Sequence, residues 1–249
     1  MFARTDDTGV AVERWREAQQ YEQAFWQRLG EDIETGSREH LDWYKWRADR
    51  LEDRLANAVM DRSPSAKVLE IGSGPIGIVN FMQWGHRYAI DPLEHFYRSK
   101  PALVALRKNN VTYLDGTGER LPFDEGTFTL VIIDNVIDHT SAPAIVLQQI
   151  SRVLAPQGYL YLSVNVHTRW GALLHECLAG LHIDKGHPHT FTSDTLRQLL
   201  KAHGFIPQIE QVEDYMKSRG ADRTSPRLTD RIKGYTGMSE FSHGVVCRK

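Results

Sequence analysis

Several features are scarce in this sequence, and each scarcity excludes a class of protein. Cysteine occurs only at Cys177 and Cys247, with no second pair at metal-ligand spacing. That usage suits thiols in a reducing compartment and argues against a disulfide framework or a zinc module. No run approaches the roughly 18 apolar residues that a spanning helix requires. The start, MFARTDDTGVAVERWREAQQ, is charged throughout and lacks a signal-peptide apolar region. The expectation is a cytoplasmic chain with no membrane partner. Charge of one sign is missing too: 30 Lys and Arg stand against 32 Asp and Glu, a formal net charge of −2. With the cations dispersed along the chain, no basic footprint for nucleic acid is expected. An apolar content of 41% over 249 residues gives an ordinary globular composition, without the marks of disorder, collagen or coiled coil.

Aromatic residues, by contrast, crowd the N-terminal part: Trp15, Tyr21, Phe25, Trp26, Trp43, Tyr44 and Trp46. Leu41, Tyr44, Ala48, Leu51, Leu55 and Ala58 recur at spacings of three and four, which places them on one helical face. Ser37 is the candidate N-cap of that helix, and an earlier helix is expected over 12–29. Residues 1–62 therefore read as a helical cap packed on the same domain as the remainder. The rings either pack these helices onto the body or line a pocket. Trp43 and Trp46 lie off the main apolar face, so Trp43, Tyr44 and Trp46 are the candidate substrate contacts.

Over 63–249 the texture changes to alternating strand and helix signals, the pattern of a parallel sheet covered by helices. Strands are expected at AKVLEI, RYAID, NVTYLDG, FTLVIIDN, GYLYLSVNV, IPQIEQVE and HGVVCR. Helices are expected after Gly77, over 102–108, over 143–154 and over 193–203, the last with Thr192 as N-cap and Gly204 at its stop. Insertions are placed near 168–190 and 214–240, the second a polar stretch without a clear helix.

The chemistry-bearing stretch is KVLEIGSGPIGIVNFMQWGHRYAIDPLEHF. Gly72, Gly74 and Gly77 have the G-x-G-x-x-G spacing directly after a strand. Glycines there let a ligand approach the backbone where a side chain would collide with it. Asp91 follows Gly72 by 19 residues, at the end of the next strand. From that place a carboxylate accepts hydrogen bonds from both hydroxyls of a ribose. Strand, glycines, helix, strand and acid in this order point to a nucleoside site.

Two later segments, DGTGERLPFDEGTFTLVIIDNVIDHT and QQISRVLAPQGYLYLSV, together with that loop, resemble the class I S-adenosylmethionine-dependent methyltransferases, in particular their small-molecule branch. The resemblance covers about 67–205 and the final strand. It implies an α/β, Rossmann-like seven-stranded sheet of order 3-2-1-4-5-7-6 with the last strand antiparallel. It also implies S-adenosyl-L-methionine as cofactor: Glu70 and the Gly72–Ser73–Gly74 backbone around the methionine portion, Asp91 and Pro92 at the ribose, Gly118 and Glu119 at the adenine, and Asn135 near the sulfonium. Thr117 stands where the family often has an aspartate for the adenine amine. For Glu70 the alternative is a carboxylate that orders the glycine loop without touching ligand.

The implied reaction is methyl transfer to a small molecule, most simply O-methylation of a natural product or glycan-related metabolite, with N- or S-methylation as the alternative. A hydroxyl acceptor needs a general base, and histidine serves near neutral pH. His139 and His167 follow the fourth and fifth strands and are the first candidates; His187 and His189 in DKGHPHTFTSD come second. With Asp184 the latter pair could hold a metal, but an i, i+2 pair without further clustered ligands does not make a site, and no metal is expected. The chain has DNVI where amino-methyltransferases of nucleic-acid bases carry [DNS]-P-P-[YFW]. It also lacks the cysteines of an arsenic methylation site. An NAD-dependent Rossmann oxidoreductase explains the glycines and Asp91 but not the later segments, and no Tyr-x-x-x-Lys pair is present. A non-catalytic S-adenosylmethionine-binding protein is the remaining rival. A monomer or homodimer is expected.

Overall fold

The computed structural model describes residues 8–37, 41–108, 110–179 and 188–249. Seven strands form one sheet: β1 (Lys67–Ile71), β2 (His86–Asp91), β3 (Val111–Asp115), β4 (Phe128–Asp134), β5 (Leu154–Val166), β6 (Ile206–Val212) and β7 (Phe241–Arg248). Their order is β3-β2-β1-β4-β5-β7-β6, with β7 antiparallel to both neighbours and the first five strands parallel. This is the Rossmann-like methyltransferase sheet.

The continuous apolar runs of β1 and β4 are those of strands buried on both faces, and side-chain alternation sorts them into two cores. Ile71, Val131, Ile133, Leu160 and Leu162 pack beneath α5 (Pro143–Val153) and α7 (Ser193–Ala202). Val68, Leu130, Ile132, Tyr161 and Val246 face the other way. They meet Trp26, Leu29, Tyr44, Leu51 and Leu55 of α1 (Thr8–Glu34) and α2 (Asp42–Leu55). Each of these side chains contributes about 1.5–3 kcal/mol when fully buried, so the N-terminal helices are part of a core and not a loose appendage. Arg54 strengthens the join from α2. Its Nη1 donates to Tyr161 Oη at 2.7 Å and its Nε to Gln211 Oε1 at 2.8 Å. The guanidinium lies against Gly244 of β7, where any Cβ would collide with it.

Four local expectations are corrected. No α-helix follows Gly77; a single 3₁₀ turn, Ile78–Asn80, is all that the segment forms before His86 opens β2. Glu70 takes the N–H groups of Ile78 and Val79, and the chain runs on through 81–85 into the strand. Ser37 does not cap α2. Leu41 occupies the N-cap without a side-chain hydrogen bond, while Ser37 Oγ donates to Asp32 O at the end of α1. The helix expected over 102–108 is a shorter one, α4 (Pro101–Val104), preceded by a second short helix, α3 (Glu94–Arg98). The polar stretch between β6 and β7 forms two helices, α8 (Tyr215–Thr224) and α9 (Leu228–Thr236). The segment after β5 also opens with a helix, α6 (Arg169–Ala179). The Thr192 cap is present, as a full capping box with Thr195.

Candidate active site

The strand order reverses between β1 and β4, and in open α/β sheets ligands bind beyond the carboxyl ends of the strands at such a switch point. A cavity of about 560 Å³ lies there, within the ~300–1,000 Å³ usual for small-molecule sites. Its floor is the segment following β1, its walls are the loops after β2, β3 and β4 with Asn165 near the end of β5 and Glu240 before β7, and its roof is α1 and α2.

Gly72, Gly74 and Gly77 all adopt positive φ, between 60° and 73°, which L side chains rarely take. Each also lacks room for a Cβ: at Gly72 it would strike Val136, at Gly74 the Tyr44 hydroxyl, at Gly77 the Glu70 carboxylate. Glu70 is buried, and its two oxygens accept the backbone N–H groups of Ile78 and Val79 at 3.0 and 2.9 Å. It therefore orders the glycine loop, although it also faces the cavity. Burial pushes its carboxyl up to about 8 despite those two donors. Asp91 is tied to the same loop: Gly74 N donates to Oδ2 and Leu93 N to Oδ1, each at 2.8 Å. Desolvation, then the nearby Glu22 charge, raises Asp91 to about 7. Beneath the loop, Arg107 holds Glu94 with two hydrogen bonds, 2.9 and 2.6 Å, and donates from Nε to Pro75 O at 2.6 Å.

Pro92, Thr117, Gly118 and Glu119 line the wall beyond β2 and β3. Glu119 Oε1 accepts from Ser141 N, Ser141 Oγ and Ala142 N at 2.8, 2.7 and 3.2 Å. It supplies the cap that α5 lacks in its own sequence, where Ala142 is the N-cap. Asn135 follows β4 with φ at 58°, its N–H donating to Ser163 O at 2.8 Å. That left-handed turn directs the chain across the strand ends into the cavity wall.

The candidate side chains divide. His139 ends the 3₁₀ turn Ile137–His139 in the cavity wall, its Nε2 3.7 Å from Asp138 Oδ2. His167 lies behind the wall, buried, with Nε2 4.0 Å from Glu240 Oε1 and its ring 5.0 Å from that of His175. Burial lowers its pKa. Glu240 itself reaches the cavity. His189 donates its backbone N–H to Asp138 O at 3.2 Å, which brings its segment beside His139; His187 and Asp184 fall outside the described residues. Trp43 and Tyr44 line the cavity, whereas Trp46 lies outside it, largely exposed, with Arg50 over its ring. Tyr44 Oη donates to Ser73 O at 3.1 Å, and its ring stacks in a series with Trp26 and Trp43. Burial drives the Tyr44 hydroxyl well above its usual pKa, so it stays a neutral donor.

Sequence reasoning missed Glu22, Arg47 and Asp134 and named Trp26 only among the rings that either pack or line a pocket; all four are in the cavity wall. Trp26 Nε1 donates to Glu22 Oε1 at 3.3 Å. Arg47 Nε lies 3.5 Å from Asp134 Oδ2, and Ser163 Oγ donates to Oδ1 of the same carboxylate. Asp134 stood in view at the end of a predicted strand; Glu22 and Arg47 carry no signal of their own, because only the fold brings α1 and α2 over the sheet.

Comparison with known proteins agrees with this geometry. A methyltransferase-domain family profile matches residues 43–207, well over half of the chain. An uncharacterized methyltransferase of Schizosaccharomyces pombe is 27% identical over 105 residues, an alignment that spans 38% of each protein. Among solved structures, a protein of Bacillus halodurans C-125 assigned as a methyltransferase superposes with a TM-score of 0.58 at 18% identity, covering 81% of this chain and 99% of the other. Geranyl diphosphate C-methyltransferase of Streptomyces coelicolor A3(2), solved with Mg²⁺, geranyl diphosphate and S-adenosyl-L-homocysteine, superposes with a TM-score of 0.57 at 13% identity over 84% of this chain and 83% of that one. With the profile spanning the glycine loop, Asp91 and the strands that carry the cavity, the chain belongs to the class I S-adenosylmethionine-dependent methyltransferases.

Proposed function

We propose that this methyltransferase methylates a hydroxyl of a small molecule, with His139 as the general base. The observation that carries the reading is one cavity in which the glycine loop, Asp91 and Asn135 share walls with His139, Asn165 and Glu240 under an aromatic roof. Donor and acceptor sites therefore adjoin.

The donor set suits S-adenosylmethionine. The Asp91 oxygens each accept one backbone N–H and keep lone pairs for the two ribose hydroxyls. Thr117, Gly118 and Glu119 would border the adenine, and the Gly72–Gly74 backbone the methionine portion, with Glu70 holding that backbone still. When bound, the cofactor supplies an electrophilic methyl group on a sulfonium. The protein's own part is then positioning, desolvation and proton removal. Trp26 and Tyr44 close the roof over the loop and exclude water. Trp43 contributes a flat apolar surface for the acceptor. A ring nitrogen of His139 takes the hydroxyl proton, and the Asp138 carboxylate, 3.7 Å from Nε2, favours the imidazolium so formed. Holding the acceptor in line is worth several kcal/mol of barrier, and a positioned base about 100- to 10,000-fold in rate. The small-molecule acceptor is of the natural-product or glycan-related kind.

The test begins with a screen of metabolite pools for a mass gain of one methylene. With an acceptor in hand, His139→Ala is expected to lower kcat by about 100- to 10,000-fold, leave cofactor affinity nearly unchanged, and remove the acidic limb of the pH–rate profile. Near-normal turnover in that variant would overturn the base assignment and favour an amine, thiol or carboxylate acceptor. His167→Ala and His189→Ala serve as comparisons, since neither ring forms the cavity wall.

A further inference from the structure

The two helices between β6 and β7 are built the wrong way round for helices of a core. No residue of α8 is buried, and Gly234 is the one buried residue of α9. Leu228, Ile232 and Tyr235, at i, i+4 and i+7, share one face of α9 and are 63%, 52% and 68% exposed; Met216 of α8 is 62% exposed. At the carboxyl end of α9, Trp170 Nε1 donates to Thr236 O at 3.1 Å, and the exposed Trp170 and Leu173 of α6 extend the apolar surface. What holds the pair together is polar and local: Arg219 Nε and Arg223 Nε both donate to Gly234 O, at 2.9 and 3.1 Å.

The charge here departs from that of the chain. Residues 215–236 carry six cations, Lys217, Arg219, Arg223, Arg227, Arg231 and Lys233, against Asp222 and Asp230, in a protein of net charge −2. Arg223 and Arg231 border Leu228, Ile232 and Tyr235 on this exposed face.

We infer that the α8–α9 hairpin is a docking surface for an anionic lipid bilayer. Protruding apolar and aromatic side chains ringed by Lys and Arg sink into the headgroup region while the cations meet lipid phosphates. A second copy of this chain is a poor occupant, because a two-fold contact would set the same positive surface against itself. A peptide helix is a poor occupant too, since its anchors need a deep groove and the depression among Arg223, Leu228, Ile232 and Tyr235 opens widely to solvent. Among the described residues no helix is long and apolar enough to cross a membrane, so the attachment is peripheral. Lys233 of α9 donates to Glu240 of the cavity wall at 2.8 Å, so docking would bring the acceptor side of the cavity close to the lipid.

The experiment is cosedimentation of the full chain with vesicles of phosphatidylcholine alone and of phosphatidylcholine mixed with phosphatidylglycerol. Binding to the anionic vesicles is expected, reduced by high salt and near background on the neutral ones. R227E/R231E and L228D/I232D are each expected to weaken it by about tenfold or more. All four side chains are exposed, and an unchanged melting temperature and circular dichroism spectrum will show that the variants remain folded. Failure to bind anionic vesicles, equal binding to neutral ones, or full retention by both folded variants would overturn the inference. So would an unaltered vesicle profile accompanied by a concentration-dependent dimer that L228D/I232D abolishes, because the face would then join two copies.

Discussion

Gly74 and Tyr44 form a pair whose coupling is calculable. A methyl group on Gly74 would stand well inside contact distance of the Tyr44 hydroxyl, 3.3 Å from Trp26 Cζ2 and 3.5 Å from Tyr44 Cζ, in a residue with φ at +60°. Gly74→Ala thus meets two costs: left-handed backbone strain of about 1–2 kcal/mol and an overpacking penalty of about 1–3 kcal/mol as Tyr44 is driven aside. The displaced hydroxyl also loses its bond to Ser73 O. Tyr44→Phe alone costs about 1 kcal/mol for that bond. In the double variant the offending oxygen is gone, the remaining contacts at 3.3 and 3.5 Å are tolerable with a small shift, and only strain and the lost bond persist. The double variant is expected to be more stable than the sum of the singles by about 1–3 kcal/mol. Urea denaturation of the four proteins measures this, and calorimetric titration with S-adenosylmethionine should show the same ordering of affinities. Additive stabilities would refute the reasoning, because they would mean that the cap helix does not press on the cofactor loop.

Asp91→Ala is expected to weaken cofactor binding by about 1–3 kcal/mol in a folded protein; an unchanged dissociation constant would remove the ribose assignment. Because burial lifts Asp91 to about 7, and the ionised carboxylate is the better acceptor for two hydroxyls, cofactor affinity should rise as pH increases through about 7 and D91N should show no such rise. The sign for the ligand-free protein is opposite: a raised carboxyl favours the protonated folded state, so stability contributed by Asp91 is present near pH 4 and lost toward 7, as thermal melts across that range can check. Arg107→Ala removes the bidentate partner of the buried Glu94 carboxylate, leaving Arg98 at 3.4 Å, and should cost about 3 kcal/mol, the low end for a broken buried pair, whereas the surface pair Lys45–Asp49, lost in Lys45→Ala, should cost less than about 1 kcal/mol by the same denaturation assay.

The strands and the nucleoside loop were legible because their information is local. A continuous apolar run, glycines at fixed spacing and an acid at the next strand end require no knowledge of distant residues. The N-terminal helices were legible from the three–four spacing of Leu51 and Leu55 with Tyr44. The segment 215–236 was not, since the helical spacing of Leu228, Ile232 and Tyr235 is short and set among Lys, Arg, Ser, Thr, Gly and Pro. The missing helix after Gly77 was hidden for a different reason: Glu70 takes the N–H groups of Ile78 and Val79, and the chain must return at His86. Arg47 and Glu22 meet the site only through tertiary packing, so no spacing announces them.

Arg54 has a consequence for the order in which the molecule is made. It belongs to the first quarter of the chain, yet its guanidinium rests on Gly244 and bonds Gln211. β6 pairs with β7 alone, and β7 is inserted between β5 and β6. During synthesis, therefore, β6 has no neighbour to join until β7 emerges, and Arg54 waits for Gly244 to complete its seat. Such long-separation contacts slow folding and leave an unpaired strand exposed meanwhile. The carboxyl-terminal strand acts as the closing pin of the sheet, and a ribosome-stalled chain ending before Phe241 should remain protease-sensitive throughout β6 even where β1 to β5 are already protected.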